Sequence, residues 1–241
     1  MTPTLVIQLL GAPQVLLDGR PVTSFPSSKV SGLLYFLATE PRLRSRDTLA
    51  GTLWPDYDAT QAKKYLRGAL YHLRKSLDPY LDVQRNEIGL RMTDAVEVDV
   101  VEFDAALSRV RQHEEGSDAQ LAELAAAVAR YRGPFLEGFG LGDSDLYEEW
   151  IDNERRRLHE RAIQALNRLV AAAIERQDLL LGIEHATHLL SLDPLRDESY
   201  RDLMLLLALD GQTQTALDRY AEYVDLLEAE VGAPPGPETA A

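Results

Sequence analysis

One segment of the sequence carries five cationic side chains and a tyrosine at helical spacing. Four leucines recur there at intervals of four, three and four residues: Leu66, Leu70, Leu73 and Leu77. This spacing predicts a helix with one apolar face. The five cationic side chains and the tyrosine lie outside that apolar face: Lys63, Lys64, Arg67, Tyr71, Arg74 and Lys75. Ammonium and guanidinium groups neutralise phosphates, and the fork of an arginine matches the edge of guanine.

Two interpretations of this basic face stay open. A charged helix face is most often simply solvated, but a solvated face normally carries both positively and negatively charged side chains. Here the helix contains no carboxylate, and the next one along the chain is Asp78. The imbalance favours a helix that enters the major groove of DNA, with a solvated face as the alternative.

A short polar tip follows the basic helix between two apolar runs. Gln84, Arg85 and Asn86 separate Leu81–Val83 from Ile88–Met92, a pattern typical of a β-hairpin. An arginine at such a tip suits the negative potential of a narrow minor groove. An ordinary surface turn has the same composition, so the tip supports DNA binding only together with the helix.

The remaining polar clusters do not indicate catalysis. His185 and His188 stand three apart, but without a third ligand nearby they are predicted to be a solvent-facing pair. In the acidic run after Asp143, an ion pair between Asp152 and Arg156 is expected. Neither a phosphate-binding loop nor a hydrolase or zinc-protease motif is present. We therefore expect no enzymatic activity, no cofactor and no metal site.

The charge of the chain is divided unevenly along its length. The 241 residues carry a formal net charge of −14. Residues 1–93 contain 12 Lys and Arg against 8 Asp and Glu, which gives +4, whereas residues 94–241 contain 13 against 31, which gives −18. This asymmetry predicts a basic module joined to an acidic one. The sequence has no cysteine, no membrane-length apolar run and no signal peptide, which fits a cytoplasmic protein.

The first part of the chain is predicted to mix strands and helices. Three short strands lie near Leu5–Leu10, Val15–Leu17 and Arg20–Val22, with a turn at Asp18-Gly19. Helices are predicted at residues 28–39, 46–53 and 60–77, the second capped by Ser45 and closed by Trp54-Pro55. Trp54 is expected to anchor the helices to a core.

The second part is predicted to be helical throughout. Helices are expected at residues 118–131, 144–176, 179–192, 197–209 and 213–230, and the tail from Gly232 to Pro237 is expected to fray. A weak internal repeat aligns Gly182 with Ala216 and Leu189 with Tyr223. Its offset matches the period of the tetratricopeptide helix-turn-helix unit, which is about 34 residues.

Several motifs in this order resemble the antibiotic regulatory protein (SARP) family of bacterial transcription activators. The first part, with Leu53-Trp54-Pro55 and Leu73-Arg-Lys-Ser-Leu77, looks like a response-regulator-type winged helix. The second part resembles the bacterial transcriptional activation domain (BTAD) in these motifs: Val98-Asp-Val-Val-Glu-Phe103, Tyr131-Arg-Gly-Pro-Phe-Leu-Glu-Gly-Phe139, Glu149-Trp150 followed by Glu154-Arg155, Leu192-Asp-Pro-Leu195 and Tyr200-Arg-Asp-Leu-Met204. The resemblance spans about residues 4–239.

The resemblance implies a cytoplasmic regulator that binds direct repeats near promoters, often as a dimer, and recruits RNA polymerase. It places the DNA-binding positions on these residues: Lys63, Lys64, Arg67, Tyr71, His72, Arg74, Lys75, Arg85 and Asn86. Gly68 departs from the pattern, because a glycine at a helix centre costs about 1 kcal/mol relative to alanine.

The expected fold class is an α+β winged helix-turn-helix domain at residues 1–97, followed by an all-α, tetratricopeptide-like BTAD at residues 98–241. The expected function is sequence-specific binding to double-stranded DNA and activation of transcription. The alternative is a tetratricopeptide-like scaffold whose basic module docks on an acidic protein. The two differ in one requirement, because only the first needs the basic helix to face nucleic acid.

Overall fold

A computed structural model describes residues 4–23 and 25–240. The chain divides into two compact units, each made of two segments. The first unit contains Met1–Ala105 and Ala129–Leu158, and the second contains Ala106–Val128 and His159–Ala241. Within the described ranges, no helix is both long enough and apolar enough to span a bilayer.

The first unit opens with a four-stranded sheet. Strands β1 (Leu5–Gln8), β2 (Gln14–Leu17) and β3 (Arg20–Pro21) form an antiparallel meander, as the sequence predicts. Asp18 and Gly19 both have positive φ, 49° and 72°, which fits the tight turn expected there. A fourth strand, β7 (Val96–Val98), pairs in parallel with β1 and was not predicted, because so short a strand carries too little pattern to be identified.

Three helices follow the meander and match the predicted positions closely. They are α1 (Ser28–Thr39), α2 (Arg46–Leu53) and α3 (Ala59–Leu77). The Ser45 hydroxyl accepts the N–H of Thr48 at 3.0 Å and so caps α2. Trp54 is buried beyond its end, as expected. A second sheet has the order β4 (Arg44–Ser45), β6 (Glu87–Leu90) and β5 (Leu81–Val83), so the predicted hairpin has a third strand.

Residues 129–158 complete the first unit by packing on α1. The Tyr147 hydroxyl donates to the carbonyl of Gly32 at 3.0 Å, and the Trp150 ring centre lies 4.7 Å from that of Phe36. The Arg155 guanidinium donates to the Phe135 and Leu136 carbonyls, both at 2.8 Å, and holds that loop. The aromatic face of α1 is therefore covered by a segment that lies far along the chain from it.

The second unit is helical. Its elements come from α4 (Asp99–Arg109), α5 (Asp118–Val128), α6 (Asp145–Arg176), α7 (Leu179–Leu192), α8 (Asp197–Leu209), α9 (Thr213–Glu230) and α10 (Pro237–Ala240); α4 and α6 contribute residues to both units. The bounds of α7, α8 and α9 are those predicted, whereas α5 ends at Val128, short of the predicted Tyr131. Leu189 and Tyr223, which the repeat aligns, are both buried. The match is incomplete, since Ile183 is half-buried but its partner Leu217 is 57% exposed.

Three local predictions are wrong. His185 is buried on the inward side of α7 and does not face solvent. Asp152 pairs with Arg155 at 3.3 Å, one position before the predicted Arg156. The tail is also held in place instead of fraying: residues 233–236 are not helical, as expected, but the carboxylate of Asp197 accepts hydrogen bonds from Gly236 and Thr239, and a helical turn follows at Pro237–Ala240.

Candidate nucleic-acid interface

Helix α3 buries one face and exposes the opposite face to solvent. Asp58 caps its amino end, where its carboxylate accepts the N–H groups of Thr60 at 2.9 Å and Gln61 at 3.1 Å. The four leucines of the predicted stripe are all buried, and Ala62 and Ala69 are buried with them. Burial of this stripe fixes the rotation of the helix about its axis. The position of the opposite face is therefore fixed as well.

The polar face of α3 is open to solvent. Lys64, Arg67, Tyr71, Arg74 and Lys75 are exposed, whereas Lys63 and His72 are half-buried. The Tyr71 ring is 61% exposed, and its centre lies 5.5 Å from that of the His72 ring. The predicted division of α3 into a leucine face and a basic face is thus present in the fold.

Two of the five cations have carboxylate partners. Lys63 pairs with Asp47 of α2, and Arg74 pairs with Asp78 at 2.5 Å. Both pairs are largely exposed and are worth little, so each cation can exchange its partner for a phosphate. Lys64 and Arg67 have no carboxylate partner among the residues that the structure describes. The helix therefore carries unneutralised positive charge at its centre.

Part of this face forms a shallow depression of about 480 Å³. Its lining residues are Arg67, Leu70, Tyr71, Arg74, Lys75 and Asp78. The Lys75 ammonium lies 4.7 Å from the centre of the Tyr71 ring, a cation–π distance that holds both side chains. The structure thus brings four of the predicted site residues together. Lys63, Lys64 and His72 lie on the same helix but outside the depression.

The hairpin tip carries the other two predicted residues. Arg85 and Asn86 are exposed, and neither lines the depression on α3. The backbone N–H of Gln84 donates to the Glu87 carbonyl at 2.9 Å, which closes the tip. The side chain of Arg85 has no partner among the described residues, which leaves it available to a ligand.

Arg46 anchors this tip, a role that the sequence does not reveal. Its guanidinium donates to the Gln84 carbonyl at 3.0 Å, and its backbone N–H donates to the Asn86 carbonyl at 2.9 Å. The first residue of α2 therefore holds the hairpin on both sides of Arg85. No local pattern signals this, because Arg46 and the tip are far apart in the chain.

Among residues 4–23 and 25–240, no cluster of three or more His, Asp or Glu side chains could hold a metal ion. His185 and His188 both have a lowered pKa because burial disfavours the charged imidazole.

Comparison with known proteins identifies the second part of the chain. The model of the bacterial transcriptional activator domain matches residues 98–241, which are more than half of the sequence. The chain belongs to this family. This match confirms the predicted resemblance of the second part to the bacterial transcriptional activation domain.

Two relatives extend over nearly the whole chain. The regulatory protein AfsR of Streptomyces coelicolor is 25% identical over 233 residues, which are 95% of this chain but 23% of AfsR. The structure of Mycobacterium tuberculosis EmbR, solved in complex with a low-affinity phosphopeptide, aligns with a TM-score of 0.65 at 23% identity. That alignment covers 99% of this chain and 63% of EmbR. At this level of identity the likeness to EmbR shows a shared fold. Together with the domain match, the two comparisons confirm the predicted fold class, a winged helix followed by a tetratricopeptide-like domain, and the resemblance to SARP activators.

Gly68 provides a first test of the basic face. A Cβ atom added at Gly68 would meet no atom within 4 Å, and the residue is exposed at the middle of α3. Gly68→Ala is therefore expected to raise the free energy of unfolding by about 0.5–1 kcal/mol, since alanine loses less entropy in a helix. Chemical denaturation measures this gain. Gly51→Ala on α2, where an added Cβ also meets no atom within 4 Å, is the matched control and should give a similar gain in stability.

The same variant shows why a glycine stands there. If the α3 backbone approaches DNA closely at this point, Gly68→Ala weakens duplex binding while it stabilises the protein. Unchanged affinity would mean that Gly68 serves no purpose in binding and only weakens the helix.

Proposed function

We propose that this chain is a transcription activator that binds double-stranded DNA through α3 and the β5–β6 tip. The observation that carries the proposal is the division of α3 into a buried leucine face and an exposed cationic face. Membership of the activator family supports the same function. The proposed DNA-binding residues are those predicted from the sequence: Lys63, Lys64, Arg67, Tyr71, His72, Arg74, Lys75, Arg85 and Asn86.

We assign different roles to residues within this set. Arg67 and Tyr71 lie at the middle of α3 and line its depression, so they are placed to reach base edges in the major groove. Lys75, near the end of α3, and Arg85, at the hairpin tip, contact phosphates instead. Phosphate contacts fix the position of the protein on the duplex, and base contacts supply the specificity.

The second domain, residues 98–241, serves protein partners in this proposal. Residues 94–241 carry a net charge of −18, so phosphates would repel them. Its helical repeats are therefore assigned to contacts with proteins: RNA polymerase, and a second copy of the chain bound side by side on a direct repeat. The winged helix at residues 1–97 supplies the DNA affinity. The protein acts in the cytoplasm and is not an enzyme.

A salt series tests the proposal directly. The logarithm of the binding constant for a random duplex is expected to fall linearly with the logarithm of the salt concentration, by about 0.9 per neutralised phosphate. Lys64→Ala removes an exposed cation without a described partner, and the slope is expected to become shallower by about 0.9. Fluorescence anisotropy of a labelled duplex gives both slopes.

Arg111→Ala is the control for this series, because Arg111 is an exposed cation of the second unit. Its slope should equal that of the unmodified chain. If the basic face instead docks on an acidic protein, as the scaffold alternative requires, the chain will not bind duplex DNA even at low salt.

A further inference from the structure

The carboxyl end of α2 receives hydrogen bonds from two side chains outside that helix. The Ser144 hydroxyl donates to the Thr52 carbonyl at 2.5 Å, and the Lys29 ammonium donates to the Leu53 carbonyl. The last carbonyls of a helix have no partner within it, so these two donors cap the end of α2. Lys29 also forms an ion pair with Asp143 at 2.7 Å. Helix α1, the end of α2 and the segment before α6 are therefore joined at this point.

Both donors are sheltered from solvent. Ser144 is 1% exposed, and the side chain of Lys29 is 12% exposed. Water competes little for a buried hydrogen bond, and removal of the donor leaves a buried carbonyl without its partner. Ser144 is also too deeply buried to contact DNA itself. Any effect of Ser144 on DNA binding must therefore pass through α2.

The capped end of α2 leads directly into the turn that positions α3. Residues 54–58 join the two helices, and the last of them, Asp58, caps α3. Trp54, the first residue of the turn, is buried, and its ring centre lies 6.2 Å from that of Tyr65 on α3. A shift at the end of α2 would therefore be passed to α3 and to the cationic side chains that α3 exposes.

We propose that Ser144 and Lys29 are positioning residues for DNA recognition, because they hold the turn between α2 and α3 in the geometry in which α3 meets base edges. This inference rests on the proposed DNA-binding role of α3. Ser144 lies within residues 98–241, the part that matches the activator domain. A segment of that domain therefore completes the DNA-reading part of the chain, and residues 1–97 by themselves lack one of the two caps of α2.

Ser144→Ala in the full chain is the first test, since it removes the donor without a change of charge. Binding to the preferred duplex is expected to weaken about fivefold, the factor that corresponds to one hydrogen bond. The salt slope for a random duplex should stay the same, because the number of phosphate contacts does not change. Fluorescence anisotropy well below the unfolding temperature measures both, so that a loss of stability alone leaves them unaltered.

Ser191→Ala is the matched control. It removes an exposed hydroxyl that donates to the His188 carbonyl at 2.6 Å on α7, in the second unit. Both affinities should equal those of the unmodified chain.

Lys29→Met tests the same end of α2 from the side of α1. Ser144 also accepts the N–H of Tyr147 at 3.3 Å and so caps α6, whereas Lys29→Met leaves that cap in place. The ratio of the affinities for preferred and random duplexes is expected to fall about fivefold in this variant as well. The ratio is the informative quantity, because the lost positive charge affects both duplexes alike.

A measurement without DNA tests the positioning separately. In ¹⁵N spectra of the full chain, Ser144→Ala and Lys29→Met are each expected to shift the amide resonances of residues 52–66, and Ser191→Ala should not. If those resonances stay in place, or if both variants keep the preference of the unmodified chain, this inference alone is overturned. Failure of the unmodified chain to bind any duplex would overturn the proposed function and this inference together.

Discussion

Arg67→Ala is expected to weaken binding to the preferred duplex by about 1–3 kcal/mol and to relax the preference at one or two base pairs. Arg67 is exposed at the middle of α3, has no carboxylate partner among the described residues and lines the depression with Tyr71. A side chain in this position can present its fork to guanine, and a bidentate contact of that kind discriminates between bases. Selection of a preferred site from a random duplex library, followed by titration, measures both effects.

Two further substitutions make this result interpretable. Lys75→Ala is expected to weaken preferred and random duplexes alike, since a phosphate contact carries no sequence information. Arg20→Ala removes an exposed arginine from β3 and controls for the loss of one positive charge. The assignment of roles is wrong if Arg67→Ala and Lys75→Ala reduce binding to random DNA equally and leave the sequence preference intact.

Tyr147→Ala is expected to lower the free energy of unfolding by about 3–5 kcal/mol, the cost of truncating a buried aromatic side chain. Tyr147 is fully buried, and its ring centre lies 4.9 Å from that of Trp150. Its hydroxyl donates to Gly32 in the middle of α1. The truncation therefore opens a cavity where residues 129–158 meet α1, and it leaves the Gly32 carbonyl without its partner. Denaturant unfolding followed by circular dichroism measures the loss.

Tyr147→Phe separates packing from hydrogen bonding at this position. It keeps the ring and removes only the hydroxyl, so a smaller loss of about 1–3 kcal/mol is expected. Leu146→Ala, at the neighbouring exposed position, is expected to change stability by less than about 0.5 kcal/mol. Equal stabilities for Tyr147→Ala and Leu146→Ala would contradict the packing of residues 129–158 in the first unit.

The sequence alone determined the local elements and the face that α3 displays. The bounds of α1, α2, α7, α8 and α9 agree with prediction because caps, breakers and apolar spacing act within a few residues. The leucine stripe of α3 likewise requires only the helical period, so the exposure of its basic side was predictable. The resemblance to an activator family also came from local motifs in a fixed order.

Tertiary structure decided the features that join distant segments. Strand β7 exists because β1 offers it a pairing edge, and Arg46 holds a hairpin tip that lies far from it in the chain. Asp47 of α2 forms an ion pair with Lys63. The sequence showed only that α3 itself contains no carboxylate, so this partner on another helix was not predicted. His185 is buried because other helices cover α7 on that side. Each of these contacts depends on which surfaces pack together in the folded protein, and the spacing of residues along the chain does not predict that.

The set of segments that form the first unit shows most clearly what the sequence could not predict. The sequence change near Val98 predicts a boundary between a basic and an acidic domain, and that assignment of tasks stays a prediction. The fold nevertheless places residues 129–158 with the amino-terminal segment, where Tyr147 and Trp150 cover the aromatic face of α1. The apolar pattern of a helix face predicts that the face is buried, but it does not identify the segment that covers it. Side-chain complementarity between segments far apart in the chain supplies that choice, and it exists only in the folded protein.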